Sequence, residues 1–409
     1  MFLSPVLLQI AALTTAVAGS GSWRAVVVGG GPSAAMNQVG IELNIRYFER
    51  RLPASIDRRV LFANGRRDTA TVQFLAGDEL RYRRPDLARI DGPTTASGFS
   101  MLWGNFVTPR SSDPLMLYFA GHGSPNRGSG LENNVFDLWG GGVIDVQQLA
   151  TKIAELPPSA PVVVVMAQCY SGSFANLLFE GGRPDAPLVE RDIVGFFAAT
   201  NDRPASGCTP EVNEADYQDF SSYFFAALSG RNRMDAPVRG ADFDGNGVVG
   251  MNEAYAYAII HQQSEDVPVT TSDAFLRRFI QKHDAETMAT PYTSILTWAA
   301  PAQRAALQAL STKLGLRGED RLRRVYDAYF GGASREGPVA AHQLRFVRLA
   351  KSVVLAHHLL EGSDPALKQR YERLRAAESR TPFAAMPAPP PVEEPKRGHF
   401  APARIEPTL

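Results

Sequence analysis

The sequence predicts an α/β protein: a mostly parallel sheet with helices on both faces, followed by a C-terminal α-helical region. Three observations predict it. Short continuous apolar runs recur at residues 25–28, 115–120 and 162–166, the pattern of strands covered on both faces. Segments with helical apolar spacing alternate with these runs, so crossovers rather than tight hairpins join the strands. After Asp273 no convincing strand follows, and stretches rich in Ala, Leu and Arg take over.

The elements follow in order. Residues 1–22 carry no charged side chain, and their apolar stretch ends in Ala16-Val17-Ala18. A small-x-small site after such a stretch marks a signal peptide cut near Ala18, which makes the protein an exported one, periplasmic or secreted. An uncleaved anchor and a plain first helix are the competing readings. The main domain is expected over residues 23–272. Its first strand, 25–28, closes in Gly29-Gly30-Gly31-Pro32, a turn. Residues 36–52 place Val39, Leu43 and Tyr47 at helical spacing. Residues 60–62 read as a second strand. Residues 65–114 are irregular and rich in Arg, Asp and Gly, and are expected to be loop with one short hairpin. The third strand, 115–120, runs into Gly121-His122-Gly123. Residues 135–139 read as an edge strand. Asp145-Val146-Gln147-Gln148 resembles a capping box and opens a helix that stops at Pro157-Pro158. The fourth strand, 162–166, runs into Gln168-Cys169-Tyr170-Ser171-Gly172. Residues 193–199 read as a fifth strand and 220–229 as a helix. Parallel crossovers are expected to be right-handed. Residues 273–381 form the expected helical region. From 382 to 409 eight of 28 residues are proline, which predicts a solvated, disordered tail.

Composition bounds the function. The 409 residues include 42 Lys+Arg and 42 Asp+Glu, a net charge of zero. No global basic field attracts nucleic acid. Two cysteines exclude a disulfide-stapled scaffold and a four-cysteine zinc site. No apolar run of bilayer length follows residue 22, so no stable membrane span is expected after signal cleavage. The sequence leaves the oligomeric state open.

Two reactive side chains stand at strand ends. His122 directly follows the third strand and Cys169 the fourth. Ligands of open parallel sheets bind at the carboxyl ends of the strands. Neighbouring strands would therefore bring both groups to one rim. An imidazole beside a thiol is an arrangement for covalent catalysis. The imidazole takes the thiol proton, leaving a thiolate at neutral pH. The thiolate attacks a carbonyl. The N–H groups of Gly123 and Cys169 meet the developing oxyanion, and His122 protonates the leaving amine. The bland alternatives are a buried apolar cysteine and a satisfied turn histidine. Ser171 is a rival nucleophile, but Tyr170-Ser171-Gly172 lacks the first glycine of a nucleophile elbow.

The blocks Leu117-Tyr118-Phe119-Ala120-Gly121-His122-Gly123-Ser124 and Ala167-Gln168-Cys169-Tyr170-Ser171-Gly172-Ser173-Phe174 resemble the histidine and cysteine blocks of the caspase/legumain clan of cysteine peptidases. They are more similar to the legumain-like branch, because Ser171-Gly172-Ser173 follows the cysteine. The resemblance covers roughly residues 23–230. It implies a caspase-like fold, His122 as general base and acid, Cys169 as nucleophile, Gly123 as oxyanion donor, and a peptide or protein substrate. It also places Asp219 where the family has an acidic residue lining the specificity pocket; a helix N-cap before Phe220 is the competing reading. The chain departs from the family in two places. Ala167 replaces an acidic residue two positions before the nucleophile. Ala34-Ala35-Met36-Asn37-Gln38 replaces Asn-Tyr-Arg-His-Gln, so the supporting asparagine and the pocket arginine are missing, and Asn37 is the candidate for the orienting role. Asparagine specificity does not transfer. The family includes transamidases, and a fold-retaining scaffold without turnover is the other alternative.

Residues 242–253, Asp-Phe-Asp-Gly-Asn-Gly-Val-Val-Gly-Met-Asn-Glu, satisfy the twelve-residue calcium loop. Asp242, Asp244, Asn246, the Val248 carbonyl and Glu253 are the candidate ligands of a structural Ca2+, with Gly247 at the bend. A helix is expected from Glu253 to Gln262. Arg231 to Gly240 reads as loop, so a half-hand rather than a paired module is expected. A turn-rich loop without metal is the alternative. Cys208 is either inert or a partner for Cys169 in a switching disulfide. His357 and His358 are adjacent, hence on different helix faces, and make no metal site.

Overall fold

The computed structural model describes residues 23–110, 112–280, 284–332 and 335–382. The expected signal peptide, and all but the first residue of the expected proline-rich tail, lie outside the described residues.

The chain builds β1 (Arg24–Gly30), α1 (Val39–Arg51), β2 (Asp57–Phe62), β3 (Val72–Ala76), β4 (Glu79–Arg83), α2 (Ala96–Leu102), β5 (Leu115–Gly121), β6 (Gly123–Ser124), β7 (Val135–Asp137), β8 (Val143–Asp145), α3 (Val146–Ala154), β9 (Val162–Met166), β10 (Ile193–Phe197), α4 (Phe220–Ser229), α5 (Met251–His261), β11 (Val269–Thr270), α6 (Thr271–Phe279) and then α7 (Asp284–Met288), α8 (Tyr292–Trp298), α9 (Pro301–Lys313), α10 (Arg321–Gly331), α11 (Gly337–Glu361) and α12 (Pro365–Glu378). The main sheet has the order β11-β10-β9-β5-β1-β2. All its pairings are parallel except β10 with β11.

Each central strand divides its side chains between two cores. Val27, Tyr118, Val165 and Phe196 face α1, α4 and α12. Val26, Phe119, Val164 and Phe197 face α2 and α3. Strand geometry turns alternate side chains to opposite faces, which is why the apolar runs are unbroken. Strand order reverses between β1 and β5. From β1 the chain goes to β2 by α1 on one face; from β5 it goes to β9 by α3 on the other. Such a reversal opens a crevice at the carboxyl ends of the two strands.

The structure departs from expectation in several elements. Residues 135–139 are not an edge of the main sheet. Residues 135–137 form the middle strand of a separate antiparallel ribbon, β6-β7-β8. Residues 65–114 contain the expected hairpin, β3-β4. They also hold α2, which Thr95 caps through its hydroxyl on the Gly98 N–H and which runs on as a π-helical turn at Trp103–Val107. Phe99, Trp103 and Phe106 bury that segment. The two-residue β11 closes the sheet without any apolar run to announce it.

The boundary drawn at 272/273 falls inside α6. A third core joins Ala256 and Ile259 of α5 to α8, α9, α10 and α11. Leu355 and Leu359 of α11 and Tyr371 and Leu374 of α12 enter the sheet core itself. The helical region is thus continuous with the sheet rather than appended to it. Among the described residues, no helix is long and apolar enough to cross a membrane.

Candidate active site and calcium loop

Strands β5 and β9 are parallel neighbours, with Phe119 opposite Met166. His122 and Cys169 each stand three residues beyond that pair. They therefore leave the same edge of the sheet at the same level, beside the β1/β5 crevice. Both side chains are half-buried.

The loop after β1 positions the imidazole. Nε2 of His122 lies 2.8 Å from the Met36 carbonyl oxygen and 2.9 Å from Oε1 of Gln38. A carbonyl oxygen can only accept, so Nε2 carries the proton and Nδ1 keeps its lone pair. The orienting role expected of Asn37 thus falls to its two neighbours. Asn37 is fully buried instead, its Oδ1 accepting the Gly31 N–H at 3.1 Å and its Nδ2 donating to the Thr71 carbonyl at 3.0 Å. It shapes the loop that presents Met36 and Gln38.

Gly123 packs its backbone on the turn that carries Cys169. A Cβ at this position would sit 2.3 Å from the Cys169 carbonyl oxygen, so only glycine fits. The Asp137 N–H donates to the His122 carbonyl at 3.0 Å, which makes Gly123 and Phe136 a non-hydrogen-bonded pair of the β6-β7 ladder. In such a pair the N–H points away from the partner strand, leaving the Gly123 donor outside the ribbon. Tyr170, next to Cys169, adopts a left-handed φ of 57°, a conformation that costs a non-glycine residue about 1–3 kcal/mol. Its N–H donates to the Arg203 carbonyl at 2.9 Å. Its carbonyl accepts from Nδ2 of the fully buried Asn134 at 3.3 Å. Ser171, the rival nucleophile, is fully buried and its Oγ accepts the Ala199 N–H at 3.2 Å.

The thiol is engaged by a segment absent from the sequence argument. The Ala205 N–H donates to Sγ of Cys169 at 3.2 Å, and Sγ donates to the Ala205 carbonyl at 3.5 Å. Among the described residues no hydrogen bond joins the thiol to the imidazole. Burial raises the Cys169 pKa above the ordinary thiol value, an effect larger than the opposing bond with Ala205. Burial also lowers the His122 pKa, against the Met36 bond that raises it. In this conformation burial favours the neutral form of both groups rather than a resting thiolate–imidazolium pair. Without an imidazolium in contact, only weaker backbone hydrogen bonds oppose the desolvation of sulfur.

Cys208 lies nearby as a free thiol, donating to the Gly121 carbonyl at 3.2 Å. No disulfide joins the two cysteines. Asp219 is the N-cap of α4 and is 3% exposed. Its Oδ2 accepts from the Ser222 N–H at 3.2 Å and from Oγ of Ser221 at 2.6 Å, its Oδ1 accepts from Oγ of Ser222, and Arg233 stands 3.7 Å away. The carboxylate is engaged by these partners as the helix cap the sequence also allowed, and Gly207 packs against it, a Cβ there falling 3.6 Å from that of Asp219.

The 242–253 loop ends at α5, whose N-terminus brings in Glu253. Carboxylate oxygens of Asp242, Asp244 and Glu253 lie within 4.8 Å of one another. Nδ2 of Asn246 donates to Oδ2 of Asp244 at 3.0 Å, and Oδ1 of Asn246 accepts the Val248 N–H at 2.8 Å. Gly245 and Gly247 supply the bends with φ of 74° and 85°. Glu253 is buried, with one oxygen on the Phe243 and Asp244 N–H groups and the other on the Gly250 N–H. Hard oxygen donors and three carboxylates suit Ca2+. Arg231 to Gly240 is loop, as expected, with one isolated bridge between Arg231 and Pro237.

No family model and no curated protein matches the sequence. Among solved structures, the crystal structure of Chaetomium thermophilum Raptor aligns with a TM-score of 0.35 and 11% identity over 88% of this chain. This chain spans 39% of the length of that one.

Proposed function

We propose that the protein is an exported cysteine endopeptidase acting through Cys169 and His122. The observation that carries this reading is the parallel pairing of β5 with β9, which delivers both groups to one level of one sheet edge. The reaction begins when the thiol turns from the Ala205 carbonyl and gives its proton to Nδ1 of His122. The Met36 carbonyl and Gln38 then support the imidazolium through Nε2–H. Sulfur bonds to the substrate carbonyl carbon, and the Gly123 N–H stabilises the oxyanion. The carbon–nitrogen bond breaks as Nδ1 returns the proton to the amine, leaving a thioester. Water, deprotonated by His122, hydrolyses it and restores the thiol. Asp242, Asp244, Asn246, Val248 and Glu253 would hold a structural Ca2+, which outside the cell is abundant enough to fill a weak site.

A fluorogenic peptide library tests the reading. The purified protein is expected to cleave some members, and Cys169→Ala and His122→Ala to lower turnover by at least about 10³-fold without loss of fold. A second reading, a calcium-stabilised scaffold without turnover, draws on the Ala205 peptide seated on a neutral thiol. Absence of cleavage across the library, with a calcium-dependent melting temperature, would favour it.

A further inference from the structure

Residues 203–210 form a strap across the sheet edge. Its ends are tied by backbone bonds: the Arg203 carbonyl to the Tyr170 N–H, the Thr209 carbonyl to the Gly40 N–H and the Pro210 carbonyl to the Leu75 N–H. Its centre is tied differently. Ser206, the residue after the one that grips Sγ, donates its N–H to Oδ1 of Asp266 at 2.6 Å. Oδ2 of the same carboxylate accepts the Phe220 N–H at 2.9 Å. Asp266 is fully buried. It is held in place by Arg345 of α11, whose guanidinium donates to the carbonyls of Asp266, Gln262 and Ser264 at 2.6, 3.1 and 2.5 Å. A buried carboxylate thus stands one peptide away from the contact that occupies the thiol.

We infer that Asp266 is a positioning residue that clamps the strap on Cys169, and that its protonation releases the thiol. The inference deepens the peptidase reading by naming what controls the nucleophile, and it concerns sulfur reactivity whether or not a peptide is turned over. Ionised, the carboxylate grips two N–H groups with charge-assisted bonds. Its negative charge also holds the Cys169 pKa up. Neutral, it holds the strap more weakly and no longer opposes ionisation of the sulfur.

The acidity of Asp266 falls where this matters. Burial raises its pKa to about 6, against the lowering effect of the Ser206 and Phe220 bonds. Asp219 raises it further and Arg345 lowers it. Cys169 and Cys208 are raised by burial and so neutral through this range, with the Asp137 charge acting on both, and His342, near Arg345 and Lys313, is lowered to about 4. His122, held below its ordinary 6.5 by burial, is a second titratable group at the site and needs its own control.

The test is the rate at which full-length protein reacts at Cys169 with 4,4′-dithiodipyridine, a disulfide that attacks thiols in acid, from pH 5 to 8. A Cys208→Ser background isolates the signal, and rates are divided by those of a free thiol. The normalised rate is expected to rise as pH falls through about 6. In Asp266→Asn, a permanently neutral isostere, it is expected to be flat and at least about tenfold above the parent at pH 7.5, the scale of one hydrogen bond to a charged group. His122→Gln is expected to keep the inflection. A folded Asp266→Asn protein with the parent profile, loss of the inflection in His122→Gln, or a parent profile flat between pH 5 and 7 overturns the inference; the last decides the matter even where the asparagine variant fails to fold. Cleavage assays on the same samples separate the two claims, since an inflection without peptide turnover keeps the clamp and removes the peptidase.

Discussion

Gln38 and Met36 hold the Nε2–H of His122 from opposite kinds of chemistry, one a side-chain amide and the other a backbone carbonyl. The carbonyl survives any substitution; the amide does not. Both acceptors bind the imidazolium better than the neutral ring, so each raises the pKa that burial lowers. Gln38→Ala should therefore lower the His122 pKa further. A base must be unprotonated to take the thiol proton, so activity falls on the acid side of that pKa. The acid limb of kcat/KM is expected to move to lower pH in Gln38→Ala, while the plateau drops about tenfold as imidazolium loses a charge-assisted bond. A pH–rate profile checks both; an unmoved limb would mean that Gln38 does not bear on the ring. At this scale the sequence pointed to the two side chains but not to their setting. His122 and Cys169 were legible because each stands in the turn that ends an unbroken apolar run. The Met36 carbonyl, the Ala205 peptide and the clamp at Asp266 were not, because a backbone group carries no residue signature and Asp266 lies in no motif.

Among the elements, the legible ones carry their own local physics. Asp145 accepts the Gln148 N–H at 2.7 Å while Oε1 of Gln148 accepts the Asp145 N–H at 3.0 Å, the reciprocal box that opens α3. Helix α5 starts from the 242–253 loop in the same local way, with both oxygens of Glu253 on backbone N–H groups. The missed or misplaced elements depend on distant partners: α2 on the sheet face that buries Phe99, β7, read as a strand but not as part of a separate ribbon, on two short neighbours, and β11 on the flank of β10. The loop gives the element-scale prediction. Asp242, Asp244 and Glu253 crowd their charges within 4.8 Å, a repulsion that a divalent cation relieves. Calcium at about 100 times its dissociation constant should add roughly 2.7 kcal/mol of stability. Thermal melts with calcium and with EDTA are expected to differ accordingly, and Asp244→Asn to shrink the difference. Identical melts would show the loop to be a turn without metal. The loop also touches the end of α12, where the Met251 N–H donates to the Arg380 carbonyl at 3.1 Å, so metal binding would steady that seam.

Across the whole molecule, the question is whether the helical region can leave the sheet. A removable cover would meet the main domain through a polar surface. Here the contact is a core. Tyr371 and Leu374 of α12 pack with Phe275 of α6 and the β10 side of the sheet. Glu378, fully buried, accepts Oγ1–H of Thr271 at 3.0 Å and the Ser272 N–H at 2.8 Å, and pairs with Arg375 at 2.6 Å. Asp273 faces Arg277 and Arg348 from the other side, and those two guanidinium groups hold its carboxyl well below the usual carboxylate range despite burial. Arg345 of α11 carries the loop that sets the strap on Cys169. Glu378→Ala would strand the Arg375 charge and two buried donors, a loss of about 3–5 kcal/mol. Such a loss should appear as one cooperative melt at lower temperature, not as an early transition of the helices alone, because the cores share α5, α11 and α12. The same reasoning forbids a stable fragment ending at residue 280. That fragment is expected to be insoluble or unfolded by circular dichroism. A soluble, folded 23–280 fragment with a reactive Cys169 would show instead that the helices are a detachable cover, and would move the control of the thiol from the Asp266 clamp to their departure.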